Sequence, residues 1–235
     1  MTERRQRIID RAHVILGLGG ESALTIERLS REAEVAPRTI YRLFNDKEGV
    51  ILATVTERFQ EVRNHIAARK VDYCIENVFA ELDWMVSEMR RDLEYGLIVV
   101  GFFFSQNPRK EAIRELGSVA YNRFRNWMDR EIRAGHTVKD LDLEQLAQEH
   151  VSNEYVVYHR WAAGLVDDER CKLELHAAFL KSAILVLAEP TRSAYVGLLA
   201  DIQRGLGLSA IGAAASTNRR QRDAGEDFNG RTDNA

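Results

Sequence analysis

Residues 36–49 read APRTIYRLFNDKEG. Ile40 and Phe44 stand four apart, the spacing that puts two apolar side chains on one face of a helix. Arg38, Thr39, Tyr41 and Arg42 then look elsewhere, and Thr25, Arg28 and Lys47 flank the segment. Together they form a set of hydrogen-bond donors suited to phosphate oxygens and base edges. A guanidinium gives a planar fork to guanine. Threonine can touch a thymine methyl or a phosphate, and a tyrosine hydroxyl suits phosphate. The competing reading makes Arg28 and Arg42 ordinary solvated charges, and Arg4, Arg5, Arg7 and Arg11 either a basic arm or a solvated helix face.

Short helices must position these groups. Ile8, Ala12 and Ile15 recur at helical spacing, and Gly17, Gly19 and Gly20 end that first helix. Thr25 is a good N-cap for a second helix over about 26–33, with Ile26, Leu29 and Ala33 as its inner stripe. Pro37 opens a third helix ending near Phe44, where its missing N–H costs nothing. Asn45 or Asp46 caps a fourth, with Glu48 three residues after Asn45 as in a capping box. This fourth helix runs from Lys47 to about Lys70, roughly 24 residues or ~36 Å. Two short helices across a tight turn are the arrangement of a helix–turn–helix DNA reader.

The pattern from Thr25 to Glu48, with Ala33, Val35, Thr39, Ile40, Tyr41, Phe44 and Lys47 in register, resembles the DNA-binding segment of the tetracycline-repressor (TetR) family. The resemblance covers roughly residues 5–55; the remainder matches in length and helical content. It implies that Thr25 meets phosphate through its hydroxyl and backbone N–H. Arg28, Arg38, Thr39 and Arg42 would face bases or phosphates, Tyr41 would lean on one strand, and Lys47 would clamp a phosphate with its helix N-terminus. It also implies a homodimer on a near-palindromic double-stranded operator, controlled by a small ligand in the C-terminal helices. Two residues depart from the family pattern. Glu34 stands at the usual turn glycine, and Ala36 replaces the Ser or Thr cap, a loss of about 1 kcal/mol locally.

The chain has 235 residues, 45% of them apolar, and only three prolines, Pro37, Pro108 and Pro190. Few helix breakers and little period-two alternation give an expected all-α fold: a three-helix head over 1–48 and a larger helical ligand-binding and dimerisation domain over 49–208. Residues 209–235 are polar and glycine-containing and read as a disordered tail. The net charge of −3 divides unevenly, with +3 over residues 1–70 and −6 over the rest, so a basic end sits on an acidic body. Cys74 and Cys171 read as reduced packing residues of a cytoplasmic protein, and no apolar run approaches the ~20 residues of a membrane span.

Beyond residue 70 the periodic segments are 72–92, 94–105, 108–134, 142–165, 168–188 and 191–205, with Asn107–Pro108 and Asp142 as helix starts and Gly135 and Gly164 as stops. Leu82, Met85, Met89 and Leu93 make one stripe, and Leu146, His150, Asn153, Val157 and Trp161 another. GLIVVGFFF, residues 96–104, is apolar all round and reads as buried. An expected ligand wall of Trp84, Met85, Met89, Phe103, Phe124, Trp127, His150, Asn153 and Tyr155 competes with plain packed core, and its ligand would be a small apolar molecule. Segments 142–165 and 168–188 would pair with their copies in the dimer, where Ala162, Ala163, Ala177, Ala178 and Ala183 allow close approach. His150 and Glu154 sit four apart, a spacing that suits two metal ligands, but no third ligand accompanies them, and no cofactor motif appears. No nucleophile–base set, phosphate loop or HExxH occurs, which weighs against the alternative of a helical enzyme with a vestigial DNA-binding head. The other alternative is a DNA-binding regulator without a small ligand.

Overall fold

The computed structural model describes residues 2–105 and 110–207. Among these the chain forms ten helices: α1 Thr2–Ala23, α2 Ile26–Glu32, α3 Pro37–Phe44, α4 Lys47–Arg69, α5 Ile75–Arg91, α6 Leu93–Phe103, α7 Lys110–Arg133, α8 Leu143–Ala162, α9 Asp168–Val186 and α10 Thr191–Gly205. Within the described residues, extended pairing is limited to an isolated bridge between Thr137 and Leu187 that ties the α7–α8 connection to the end of α9. The fold is all-α. The expected start at Asn107–Pro108 and the tail 209–235 lie outside the described residues.

Local chemistry explains most boundaries. α1 is broken at Gly19 and at Gly20, whose φ of 65° is left-handed. Thr25 caps α2 by accepting the Arg28 N–H at 3.1 Å, Asp142 caps α8 from Gln145 at 2.9 Å, and Asp167 caps α9 from Arg170 at 2.8 Å. The cap of α4 is Asp46, which accepts the Gly49 N–H at 2.7 Å; Asn45 instead takes a positive φ of 73° and closes α3. Asn45 and Asp46 are both good caps, and the backbone of the α3–α4 turn selects Asp46.

α1 packs on α2 and α4, α2 on α3, and α3 on α4, burying Ile8, Ile15, Leu29 and Ile40 completely. That apolar cluster does not stop at residue 48. It continues through Val55 and Phe59 of α4 into Met85, Tyr95, Val99, Leu116 and Tyr155, because α1 also packs against α6. A second cluster fills the far end, where Phe124, Trp127 and Phe179 are wholly buried. There the Trp127 indole N–H donates to Tyr195 at 3.1 Å, pinning α10. α6 departs from the all-round burial expected of it. Gly101 and Phe104, three apart, share an outward face; Phe104 is exposed, and a Cβ on Gly101 would meet nothing.

Candidate DNA-binding face and interior cavity

α3 turns Ile40 and Phe44 inward and leaves Arg38, Tyr41 and Arg42 exposed, with Thr39 half-buried. An eight-residue helix has room for one apolar face only, so its other positions must be polar or solvent-facing. Arg42 shares a surface groove with Arg4 and Arg7 of α1. The basic strip therefore runs from α1 across to α3, an adjacency invisible in the sequence. Arg7 is partly engaged, its Nε donating to the Ala33 carbonyl at 2.9 Å, and Arg5 sits 5.4 Å from the Phe44 ring centre.

Three flanking residues are already occupied within the chain. The Thr25 hydroxyl accepts a backbone N–H but keeps its own proton to donate. Arg28 donates Nε to Glu32 at 2.8 Å and Nη1 to the Ala23 carbonyl at 3.4 Å, so part of its fork is used. Lys47 donates to the Glu21 carbonyl at 2.8 Å, with the Glu21 carboxylate 3.6 Å away. An ammonium has three donors, so Lys47 retains two for a phosphate. Glu34 occupies the turn between α2 and α3 with a left-handed φ of 53°, and Ala36 gives α3 no side-chain cap.

A second feature lies inside the body. Arg58, Phe59 and Val62 of α4, Met85, Glu88 and Met89 of α5, Asp92, Tyr95, Gly96 and Val99 of α6 and its N-terminus, Leu116, Val119 and Ala120 of α7, and Glu154, Tyr155 and Tyr158 of α8 line a mostly apolar, partly open cavity of about 60 Å³. This exceeds the ~10–15 Å³ that one water needs. It is well short of the ~300–1,000 Å³ of a drug-sized pocket, so a ligand would have to displace side chains. Met85 and Met89 are well suited to yield.

Met85, Met89 and Tyr155 of the expected wall line this cavity; the other six candidates lie elsewhere. Trp84 stacks on His65 at 4.6 Å, and Phe103 stacks on Tyr155 at 3.8 Å from behind. Phe124 and Trp127 pack with Phe179 in the second cluster, and His150 stacks on Phe124 there and bonds Ser182 at 3.1 Å. Asn153 is exposed, because Glu154, Val157, Tyr158 and Trp161 take the inner face of α8 and leave Asn153 beside Val156 on the outer one.

The sequence reading paired Glu154 with His150 and missed Arg123 and Glu81. Arg123 is 1% exposed and lies between two buried carboxylates, donating Nε to Glu81 and Nη1 to Glu154, both at 2.7 Å. Burial would raise the Glu154 carboxyl, but the Arg123 charge and His150 outweigh it and bring it to about 2. Burial opposes the Arg123 charge too, yet its two carboxylates hold it above the ordinary arginine value. The His150 Nε2 stands 3.5 Å from Glu154, and burial lowers its pKa below 6.5. Arginine is rarely buried, so a helical Arg123 reads as surface until α5, α7 and α8 are assembled around it.

The head and the cavity share structure. Tyr95 donates its hydroxyl to the Thr54 carbonyl of α4 at 3.0 Å, and its ring meets His13 of α1 at 5.3 Å. Asp92 lies 3.5 Å from the same histidine. Both Asp92 and Tyr95 line the cavity.

Comparison with known proteins bears on the DNA-binding segment and on the fold. Residues 8–54 match the family model of the bacterial regulatory proteins of the tetR family. No curated protein matches the sequence. Solved structures share the fold at low identity. FadR from Thermus thermophilus, a TetR family transcriptional repressor solved with lauroyl-CoA, is 17% identical with a TM-score of 0.63, covering 79% of this chain and 96% of that one. FadR from Bacillus subtilis, solved with stearoyl-CoA, is 16% identical with a TM-score of 0.58, covering 74% and 96%. SmeT, repressor of the Stenotrophomonas maltophilia efflux pump SmeDEF, is 17% identical with a TM-score of 0.54, covering 79% and 91%. Residues 8–54 thus carry the DNA-binding segment of the tetR family of bacterial regulatory proteins, on a helical body that has the fold of these solved structures.

Proposed function

We propose that this regulator is a cytoplasmic homodimeric repressor that leaves a near-palindromic operator when a small apolar molecule enters the α4–α8 cavity. The observation that carries the reading is that one helix serves both features. α4 has Lys47 at the DNA-binding head and Arg58, Phe59 and Val62 on the cavity wall. Lys47 and Phe59 are about 18 Å apart along the helix axis. A ligand that moves the wall tilts a stiff rod whose other end sits beneath α3, and two recognition helices must keep the ~34–36 Å spacing of successive major grooves. Binding the spread state better by ~1–3 kcal/mol gives a 5–150-fold loss of operator affinity.

DNA contacts are assigned to Arg38, Thr39, Tyr41 and Arg42 on α3, with Thr25, Arg28 and Lys47 on the flanking phosphates. The head is taken as residues 1–48 and the ligand and dimer domain as 49–208. Dimer contact is placed on the outer faces of α8 and α9. Asn153, Val156 and Arg160 of α8 face a groove with Arg170, Ala177 and Lys181 of α9, and Leu185 is exposed one turn further on. Ala183 contributes nothing there, since it is wholly buried in the second cluster.

Selection of bound sequences from random DNA, with ultracentrifugation of the complex, tests the reading. The expected result is an inverted repeat with half-site centres one turn apart and two chains per site. A non-repeating site held by one chain defeats it. The small cavity volume gives weight to a second reading, a regulator without a small ligand. That reading predicts operator affinity indifferent to any molecule bound in the body.

A further inference from the structure

We infer that the cavity selects a lipophilic cation, an ammonium-type head on an apolar body, over an anionic acyl chain. This inference rests on the ligand-released reading above and names the ligand's class. It begins with the charge of the surroundings. One arginine, Arg123, serves two buried carboxylates, Glu81 and Glu154, so the buried group carries one uncompensated negative charge. His150 does not cancel it at neutral pH, because burial holds the ring in its uncharged form. Glu154 is itself on the cavity wall.

The remaining charged lining repeats the imbalance. Two arginines serve three carboxylates there: Arg58 pairs with Glu61 at 2.8 Å and Glu88 at 3.6 Å, Arg91 pairs with Glu88 at 2.7 Å, and among the described residues Asp92 has only the His13 ring beside it, at 3.5 Å. An anionic head entering this space would meet negative charge on both sides, with the Tyr158 hydroxyl on the wall and Arg123 Nη2 behind Glu154 as the buried donors without a partner. A cation would supply the missing charge.

Two further observations point to a ligand and not merely to acidity. Tyr158 lines the cavity, is 3% exposed, and its hydroxyl is buried with no hydrogen-bond partner. Such a group is ordinarily satisfied, and it can accept from an N–H brought by a ligand. Aromatic rings also surround the space. Phe59, Tyr95, Tyr155 and Tyr158 all line it, and ring faces attract cations once water is excluded. The hydroxyls of Tyr95 and Tyr155 are held by the Thr54 and Leu116 carbonyls, at 3.0 and 2.9 Å, which fixes both rings.

The test uses the full chain and four probes of one tail length below their micellar range: decyltrimethylammonium, decylammonium, decanoate and decanol. Calorimetric titration should show the cation binding at least about 10-fold tighter than decanoate, a preference of about 1.4 kcal/mol. Glu81→Gln, which cancels the buried charge but keeps the Arg123–Glu154 pair, should narrow that preference severalfold. Asp92→Asn at the wall should do the same, and serves if the Glu81 variant folds poorly. Tyr158→Phe should weaken decylammonium more than decyltrimethylammonium, which has no N–H to give. Equal or tighter binding of decanoate, or a preference unchanged in both carboxylate variants, overturns the inference. If decanoate binds and also releases operator DNA, the ligand-released reading survives while the cation inference falls. If none of the four probes binds, both fall.

Discussion

Replacing Arg123 by Met should be among the most damaging single changes available in the body of this protein. The guanidinium is 1% exposed and donates to Glu81 and Glu154, themselves 4% and 3% exposed, at 2.7 Å each. Methionine fills much of the same volume, so the loss is electrostatic more than steric. Two carboxylates would be left facing each other without a counter-charge. Breaking a buried pair by removing one partner costs about 3–5 kcal/mol. For a chain of this size that corresponds to a melting point lower by roughly 6–20 °C. The carboxylates can escape by taking up protons, so the loss should shrink as the pH falls. Urea unfolding followed by circular dichroism, at one fixed protein concentration, measures it. The triple variant Arg123→Met, Glu81→Gln, Glu154→Gln should regain most of the stability, since no charge remains buried. A loss under ~1 kcal/mol for Arg123→Met, the value of an exposed pair, would show that water reaches these groups and that the uncompensated buried charge does not exist.

Other changes follow from the head and from two histidines, one buried and one half-buried. Ala36→Ser should supply the cap that α3 lacks and stabilise the protein by about 1 kcal/mol, read as a higher urea midpoint; no gain would mean the α3 N-terminus is already satisfied. Glu34→Gly should be neutral or stabilising by up to ~1 kcal/mol, because relief of a left-handed φ of 53° outweighs the added freedom of the unfolded chain; a clear loss in the same urea assay would locate a contact at Glu34 worth more than the strain. Lys47→Ala should weaken binding to all DNA and reduce the salt slope by about one phosphate, whereas Arg38→Ala or Arg42→Ala should relax preference at one base pair at a cost of ~1–3 kcal/mol. Anisotropy titrations on specific and random DNA separate these, and equal losses on both would confine the arginines to phosphate. Stability should also depend on acid in a definite direction. His150 and His176 are lowered by burial, so the unfolded chain binds protons first and stability falls as pH drops below 6.5. Glu154, lowered to about 2, adds a further loss below its ordinary 4.5. A urea midpoint constant from pH 7 to pH 4 would contradict this.

The head of this protein was readable from its residues, and the reason is locality. Ile40 and Phe44 four apart, Pro37 at a first turn, Thr25 before a helix and Gly19–Gly20 after one each act within a few residues. The backbone chemistry that turns on them needs no distant partner. The same locality located the later helices from Asp142, Gly135 and Gly164. It failed where a side chain's surroundings come from helices far apart in the chain. Phe124, Trp127 and His150 have the chemistry of a pocket wall but were packed into the second cluster by α9, and Asn153 turned out to solvent by its neighbours on α8. The cavity, the link from Tyr95 to Thr54, and the arginine shared by Glu81 and Glu154 join residues 31 to 42 positions apart or more. Periodicity tells which face of a helix is apolar. Which neighbour covers that face, and whether a charge beneath it is balanced, is decided only when the helices pack.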